Sequence, residues 1–339
     1  MKIMIDILHP AHVHFFKNFI NEMEKEGHEI LVTTRKKDVT LELLNLYNIK
    51  YISLSKHGKY FLSLPIEWIK RNIKFYFIAK RFKPDVITGI MGATIAPMGN
   101  LLGIPSVVFW DTEHTKKLNF MIFKLATLVC VPTCFRGKIN KNCIKYSGYH
   151  ELAYLHPKRF KPDAKILKTL GVKKDEKFTL IRFISWGAIH DLGEKGIKNK
   201  EKFVETIKKH SKVFISYEGE MPEELKKYKI KLPVTEIHNI LYYAGLYIGE
   251  GGTMASEAAV LGTPAICTNP QFCGYIDEQE KKYKLTYILT DEKIALNKAV
   301  EILKSKNIKE KYGLRKKKML EEKIDVTSFI IKTIKKFGN

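Results

Sequence analysis

The stretch Gly249-Glu-Gly-Gly-Thr-Met-Ala-Ser-Glu-Ala-Ala-Val-Leu-Gly-Thr-Pro264 decides how the rest of the chain is read. Before it, Leu246-Tyr-Ile248 reads as a short buried strand, and from Met254 to Leu261 apolar side chains fall at helical spacing. Glycines therefore sit where a strand turns into a helix. The first four N–H groups of a helix have no internal partner, and glycine lacks the Cβ that would block close approach, so such a turn can receive a phosphate. Glu257, within two helical turns of Gly251, is placed like the carboxylates that accept hydrogen bonds from ribose in Rossmann-like sites. Gly251, Gly252 and Thr253 for phosphate, with Ser256 and Glu257 beside them, form a coherent nucleotide constellation. Tight strand-helix packing with Glu257 merely exposed would leave the same spacing.

Outward from this turn, strand-like and helix-like segments alternate along almost the whole chain, which predicts an α/β protein with parallel sheets covered by helices. Lys2 to Leu8 reads as a buried strand, His14 to Glu26 as an amphipathic helix stopped by Gly27, and Glu29 to Thr33 as the next strand. Further strands are expected at Val86 to Thr88, Ser106 to Trp110 and Leu128 to Val131. A second series follows the Pro- and Lys-rich stretch His156-Pro-Lys-Arg-Phe-Lys-Pro162, with strands at Thr179 to Ile184, Lys212 to Ser216, Leu246 to Ile248 and Ala265 to Cys267. These series predict two Rossmann-like doubly wound domains facing a central cleft, residues 1–160 and 161–312, followed by a C-terminal helical segment, 313–339, that packs back on the first.

A length of 339 residues suits two domains. The excess of 59 Lys+Arg over 36 Asp+Glu, a formal net charge of +23, favours anionic partners without choosing among them, and Lys and Ile enrichment also fits a heat-adapted proteome. No RNP-like, zinc-finger or helix-turn-helix pattern accompanies the charge, so specific nucleic-acid binding is not expected. Asp6 interrupts what would be a signal-peptide core, and the run Leu118 to Pro132 is too short and too charged to span a bilayer. The expectation is a cytoplasmic protein. Five cysteines with no C-x-x-C pair predict reduced thiols rather than a disulfide framework or zinc site.

Residues 251 to 264 resemble the donor-site signature of GT-B glycosyltransferases, especially the peptidoglycan enzyme that moves N-acetylglucosamine from UDP onto a lipid-linked acceptor, and are similar to that of UDP-N-acetylglucosamine 2-epimerases. The N-terminal half follows the same order: Lys83-Pro-Asp-Val-Ile-Thr-Gly89, Gly92, Pro97, Gly99, Gly103-Ile-Pro105 and Phe109-Trp-Asp-Thr-Glu113. His9-Pro-Ala-His-Val-His-Phe-Phe16 and Arg182-Phe-Ile-Ser-Trp-Gly-Ala-Ile-His-Asp191 resemble more closely a prokaryotic and archaeal domain family of unassigned function grouped with these enzymes. The resemblance implies the GT-B fold, a nucleotide-sugar substrate, and no bound metal or cofactor. Three places depart from it. Pro10-Ala-His12 stands where the transferase has Gly-Gly-His; Asp111, Glu113 and His114 are shifted from the epimerase His and Glu; and Ser185-Trp-Gly187 replaces a glycine-rich donor loop.

Sugar transfer needs a base for the acceptor hydroxyl and dipoles or cations for the departing diphosphate. His12, at the tip of the first strand, is the preferred base, with His14, Asp111 and Glu113 as rivals. His9, His12 and His14 also have spacing that zinc could use, or could simply cap and pack the strand exit; no metal is expected. Ser185, Trp186, His190 and Asp191 follow a second-domain strand where a donor sugar or pyrophosphate could be gripped, and Gly148-Tyr-His-Glu151 falls near the interdomain crossing. Residues 59–83 carry seven basic residues, one acid and seven aromatics, a composition that fits either a helix lying on an anionic membrane or a core-facing helix with a solvated basic back. The reading is a transferase moving a sugar from a nucleotide-activated donor, UDP-sugar favoured, to a glycan or lipid-linked acceptor, with a 2-epimerase as the alternative.

Overall fold

The structure, a computed structural model, describes residues 1–56, 63–113, 115–173, 176–184, 197–269 and 273–338. The chain divides into two compact units, Met1–Arg159 with Lys323–Asn339, and Phe160–Glu322.

The first unit is built on a parallel sheet of order β3-β2-β1-β4-β5-β6-β7. Its strands are β1 (Lys2–Ile7), β2 (Glu29–Lys36), β3 (Tyr51–Lys56), β4 (Val86–Ile90), β5 (Ser106–Phe109), β6 (Leu128–Pro132) and β7 (Cys143–Tyr146). The central strands β4 and β5 are buried along their whole length, which is why their sequences carry only apolar or small uncharged residues and no outward-facing charge. Strand order reverses between β1 and β4, so the carboxyl ends of these strands mark the crevice where such sheets hold ligands. Gly89 permits close packing of these two strands, since a Cβ there would lie 2.8 Å from the Asp6 carbonyl.

The helix Pro10–Lys25 starts earlier than its apolar periodicity suggests, because Pro10 fits the first helical turn and the His9 ring accepts the Ala11 N–H at 3.2 Å. It buries Val13, Phe15, Phe16, Phe19, Ile20 and Met23. Gly27 ends it with φ +82°, a conformation natural to glycine. The last helix, Val326–Ile334, packs on this helix and on Leu152–Leu155. Arg159 ties these elements together, donating from Nε to Asp325 at 2.8 Å and from a terminal nitrogen to Ser328 at 3.0 Å, and pairing with Glu22. Phe329 stacks on Tyr146 with ring centroids 4.8 Å apart.

The second unit has a parallel sheet of order β12-β11-β10-β8-β9, comprising β8 (Phe178–Phe183), β9 (Lys212–Tyr217), β10 (Leu246–Gly249), β11 (Ala265–Cys267) and β12 (Thr286–Ile288). Here the order reverses between β8 and β10, and the glycine turn leaves β10 at that switch point. The helix that follows, Gly252–Leu261, is buried from Ala255 to Leu261 and ends at Gly262 with φ +83°. The fold is therefore two Rossmann-like parallel-sheet α/β domains, as the alternating pattern predicts. No helix among the described residues is long and apolar enough to cross a membrane.

Candidate functional site

Each glycine of the quoted turn has its own reason. A Cβ on Gly249 would fall 2.0 Å from the Tyr247 hydroxyl, so that position is fixed by packing. A Cβ on Gly252 would meet the Tyr275 hydroxyl at 3.3 Å, whereas one on Gly251 would meet nothing within 4 Å among the described residues. Gly251 caps the helix Gly252–Leu261 with extended backbone, φ −116° and ψ 128°, and contributes no side-chain cap. The cap residue therefore offers the first amides of the helix no side-chain partner, and no acid occupies its first turn. Such an end carries partial positive charge and donors aimed outward, the requirements of an anion site.

Of the residues grouped with this turn, Thr253 is half-buried at the first turn. Ser256 points inward: it is fully buried and its Oγ accepts from Gln279 Nε2 at 2.7 Å. Glu257 is buried too, and its Oε1 lies 3.0 Å from His238 Nε2. A carboxylate held in this way has a fixed rotamer, and His238, on the neighbouring helix Ile237–Tyr243, supplies the positioning that sequence alone did not reveal. Glu250, also unforeseen, is fully buried and accepts the backbone N–H groups of Ile184 at 2.9 Å and Ile197 at 3.0 Å. Ser185, Trp186, His190 and Asp191 lie outside the described residues, as does His114.

In the first unit, the carboxyl ends of the strands gather histidines and acids. His12 is buried, and its Nδ1 accepts the Leu8 N–H at 3.3 Å. Burial lowers its pKa well below 6.5, and the positive charges of His9, His150, Lys37 and Arg35 lower it further. The ring is thus neutral at pH 7, with its proton on Nε2, because Nδ1 is already an acceptor. His14 is buried on the other side of the turn, 3.3 Å from the Tyr47 hydroxyl and stacked on Tyr154 with centroids 5.3 Å apart. Glu113 Oε1 accepts the Arg136 N–H at 3.3 Å.

Asp111 is the acid with the more distinctive setting. Its Oδ2 lies 3.0 Å from His150 Nδ1, and its Oδ1 accepts from the Thr112 hydroxyl at 3.1 Å. Burial raises its pKa, but the His150 charge and hydrogen bond, with the Thr112 hydroxyl, outweigh burial and hold the carboxyl below its ordinary range. His150 comes from Gly148-Tyr-His-Glu151, where the chain leaves β7. Its Nε2 is buried and has no hydrogen-bond partner among the described residues, and the same is true of the Tyr146 hydroxyl. Burial pushes the Tyr146 pKa well above 10, with the Asp111 charge adding to the shift, so its hydroxyl keeps its proton.

Comparison with known proteins gives the family and the fold. The family described as "Protein of unknown function (DUF354)" matches residues 1–336. The chain belongs to this family. An uncharacterized protein of Methanocaldococcus jannaschii is 28% identical over 283 residues, covering 80% of this chain and 82% of the relative. Among solved structures, the UDP-GlcNAc 2-epimerase of Neisseria meningitidis bound to UDP-GlcNAc is similar with a TM-score of 0.73 at 13% identity, over 99% of this chain and 100% of the other. The spinosyn rhamnosyltransferase SpnG complexed with thymidine diphosphate is similar with a TM-score of 0.65 at 12% identity, over 98% and 99% of the two chains. At such identities the likeness establishes the fold, that of GT-B glycosyltransferases and UDP-GlcNAc 2-epimerases. The DUF354 chain thus has the architecture that its glycine turn and strand order imply.

Proposed function

We propose that this DUF354 protein is a glycosyltransferase that moves a sugar from a nucleotide-activated donor, UDP-sugar favoured, to a glycan or lipid-linked acceptor. The observation that carries the reading is the N-terminus of the helix Gly252–Leu261 at the switch point of the second sheet, where the cap residue Gly251 offers no side chain and a Cβ on it would meet none of the described residues within 4 Å. In this reading the amides of Gly252 and Thr253 receive the diphosphate, whose leaving charge they stabilise. Glu257, positioned by His238, accepts hydrogen bonds from the ribose. In this reading the helix terminus takes up the charge without a metal. The complexes of neighbours with UDP-GlcNAc and thymidine diphosphate support a nucleotide-sugar ligand.

The helix Ser63–Phe82 supports an acceptor presented at a membrane. Ile66, Trp68, Ile69, Ile73 and Phe77 are exposed on it, beside exposed Lys70, Lys74, Lys80 and Arg81. Apolar side chains flanked by cations suit peripheral contact with the anionic cytoplasmic leaflet, each cation adding about 1 kcal/mol near the surface.

A panel of nucleotide sugars and free nucleotides in a thermal-shift assay tests the reading, since a ligand that binds only the folded chain raises Tm. Stabilisation by UDP or a UDP-sugar is expected; a panel without any shift overturns the reading. The epimerase alternative is favoured by the higher TM-score with the UDP-GlcNAc 2-epimerase, 0.73 against 0.65. Conversion of UDP-GlcNAc to its 2-epimer with no acceptor present would establish it in place of transfer.

A further inference from the structure

Two of the buried histidines of the first unit, His12 and His150, present opposite ring nitrogens to their fixed partners, and this assigns them different work. Asp111 Oδ2 lies 3.0 Å from His150 Nδ1. An ionised carboxylate can only accept, so Nδ1 carries a proton, and whenever the ring is neutral its lone pair resides on Nε2. That atom is buried and lacks a partner among the described residues, as does the Tyr146 hydroxyl, which stays protonated beside the Asp111 charge. A buried polar atom left without a partner costs on the order of 1–3 kcal/mol, so two of them around one carboxylate indicate groups kept for a ligand. His12 is arranged the other way. Its Nδ1 accepts the Leu8 N–H, its Nε2 therefore holds the proton, and its surroundings keep it uncharged. His150 is close enough to act on His12 when it is protonated, and Phe15 packs against the His150 ring with centroids 4.7 Å apart.

We propose that His150 is the catalytic base of this protein, that Asp111 is its positioning residue, and that His12 acts as a hydrogen-bond donor to the acceptor rather than as a base. The assignment rests on the transferase reading above. In the step, the acceptor hydroxyl gives its proton to His150 Nε2 as its oxygen forms a bond to the anomeric carbon. The bond from that carbon to the diphosphate oxygen breaks, and the nucleoside diphosphate leaves with the electron pair. Asp111 fixes the ring's tautomer and stabilises the imidazolium that results, the division of labour known from carboxylate–histidine pairs in hydrolases. The acceptor class that fits is a hydroxyl compound, with the Tyr146 hydroxyl as a further donor to it.

The test uses the full chain with 15N-labelled histidine. Imidazole nitrogen NMR should show His150 with hydrogen on Nδ1 and a bare Nε2, and His12 with the reverse; hydrogen on Nε2 of His150 overturns the proposal. In parallel, UDP release from UDP-N-acetylglucosamine is followed with an alkyl glucoside as acceptor. His150→Gln should lower kcat by about 100- to 10,000-fold with little change in the donor KM. Asp111→Asn should lower kcat and move the His150 proton to Nε2, because a carboxamide can donate to Nδ1, and Asp111→Glu should recover part of the rate and the original tautomer. Unchanged kcat in His150→Gln overturns the base assignment while leaving the transferase reading in place. A parent chain that neither binds UDP nor releases it from the donor overturns the transferase reading, and the base assignment with it.

Discussion

Replacing Gly251 by aspartate should make the protein more stable and its nucleotide site worse. The backbone there is extended, φ −116° and ψ 128°, so a side chain introduces no strain, and a Cβ meets nothing within 4 Å among the described residues. An aspartate at this position can accept the free amides of the first turn. Relative to glycine this adds a few tenths of a kcal/mol as a cap, and its charge at the helix N-terminus adds about 0.3–1 kcal/mol. A gain of about 1 kcal/mol corresponds to a rise in Tm of roughly 2–4 °C for a domain of this size. The same carboxylate would occupy the amides that the diphosphate needs and repel it. Loss of one hydrogen bond to a charged group alone costs about 1.5–3 kcal/mol, so Kd for UDP should rise roughly tenfold to 150-fold or more. Thermal melts without ligand and calorimetry with UDP measure the two effects separately. A lower Tm in the variant would mean that Gly251 is required by packing. Equal UDP affinity in variant and parent would mean that these amides do not hold the diphosphate.

Three further outcomes follow from the geometry. Glu257→Gln keeps an acceptor for His238 but removes the carboxylate charge, and should weaken UDP binding by roughly 1–3 kcal/mol; calorimetry giving the parental affinity would remove Glu257 from the site. His12 has its folded pKa lowered below 6.5, so the unfolded chain binds a proton there that the folded chain does not, and stability present above pH ~6.5 falls by up to about 1.4 kcal/mol per pH unit below it. Denaturant unfolding between pH 7 and 5 should therefore show a shallower slope in His12→Gln, and an unaltered slope would show that His12 titrates freely. Ile73→Ser with Phe77→Ser should reduce co-sedimentation with vesicles containing phosphatidylglycerol about tenfold or more, judging by the area of the exposed side chains, and raised salt should weaken binding of the parent. Identical partitioning would show that the exposed stripe does not touch the bilayer.

What the sequence made legible tracks burial. β1, β4, β5, β6, β8, β10 and β11 announce themselves as mostly apolar segments because each is an inner strand flanked by neighbours on both sides. The strands that escape sequence reading, β3, β7 and β12, are all edge strands, whose mixed sequences Tyr51-Ile-Ser-Leu-Ser-Lys56, Cys143-Ile-Lys-Tyr146 and Thr286-Tyr-Ile288 carry no unbroken apolar signal. The helix end at Gly27 and the uncapped start at Gly251 could be read directly, since local backbone chemistry decides them. The partners of the candidate acids could not. Asp111 and His150 belong to segments following β5 and β7, with β6 between those strands, and Glu257 meets His238 from a neighbouring helix. Such pairings depend on topology, and neither spacing nor composition encodes them locally. The Gly148-Tyr-His-Glu151 motif was the only local hint of His150, and it carried no indication of which acid it would meet.

The most direct measurement of the central claim is a crystal structure of the full chain with uridine diphosphate. The diphosphate oxygens should lie about 2.7–3.2 Å from the backbone nitrogens of Gly252 and Thr253, with the ribose hydroxyls on Glu257. A nucleotide bound elsewhere, or a helix start filled by the protein's own side chains, would contradict the account.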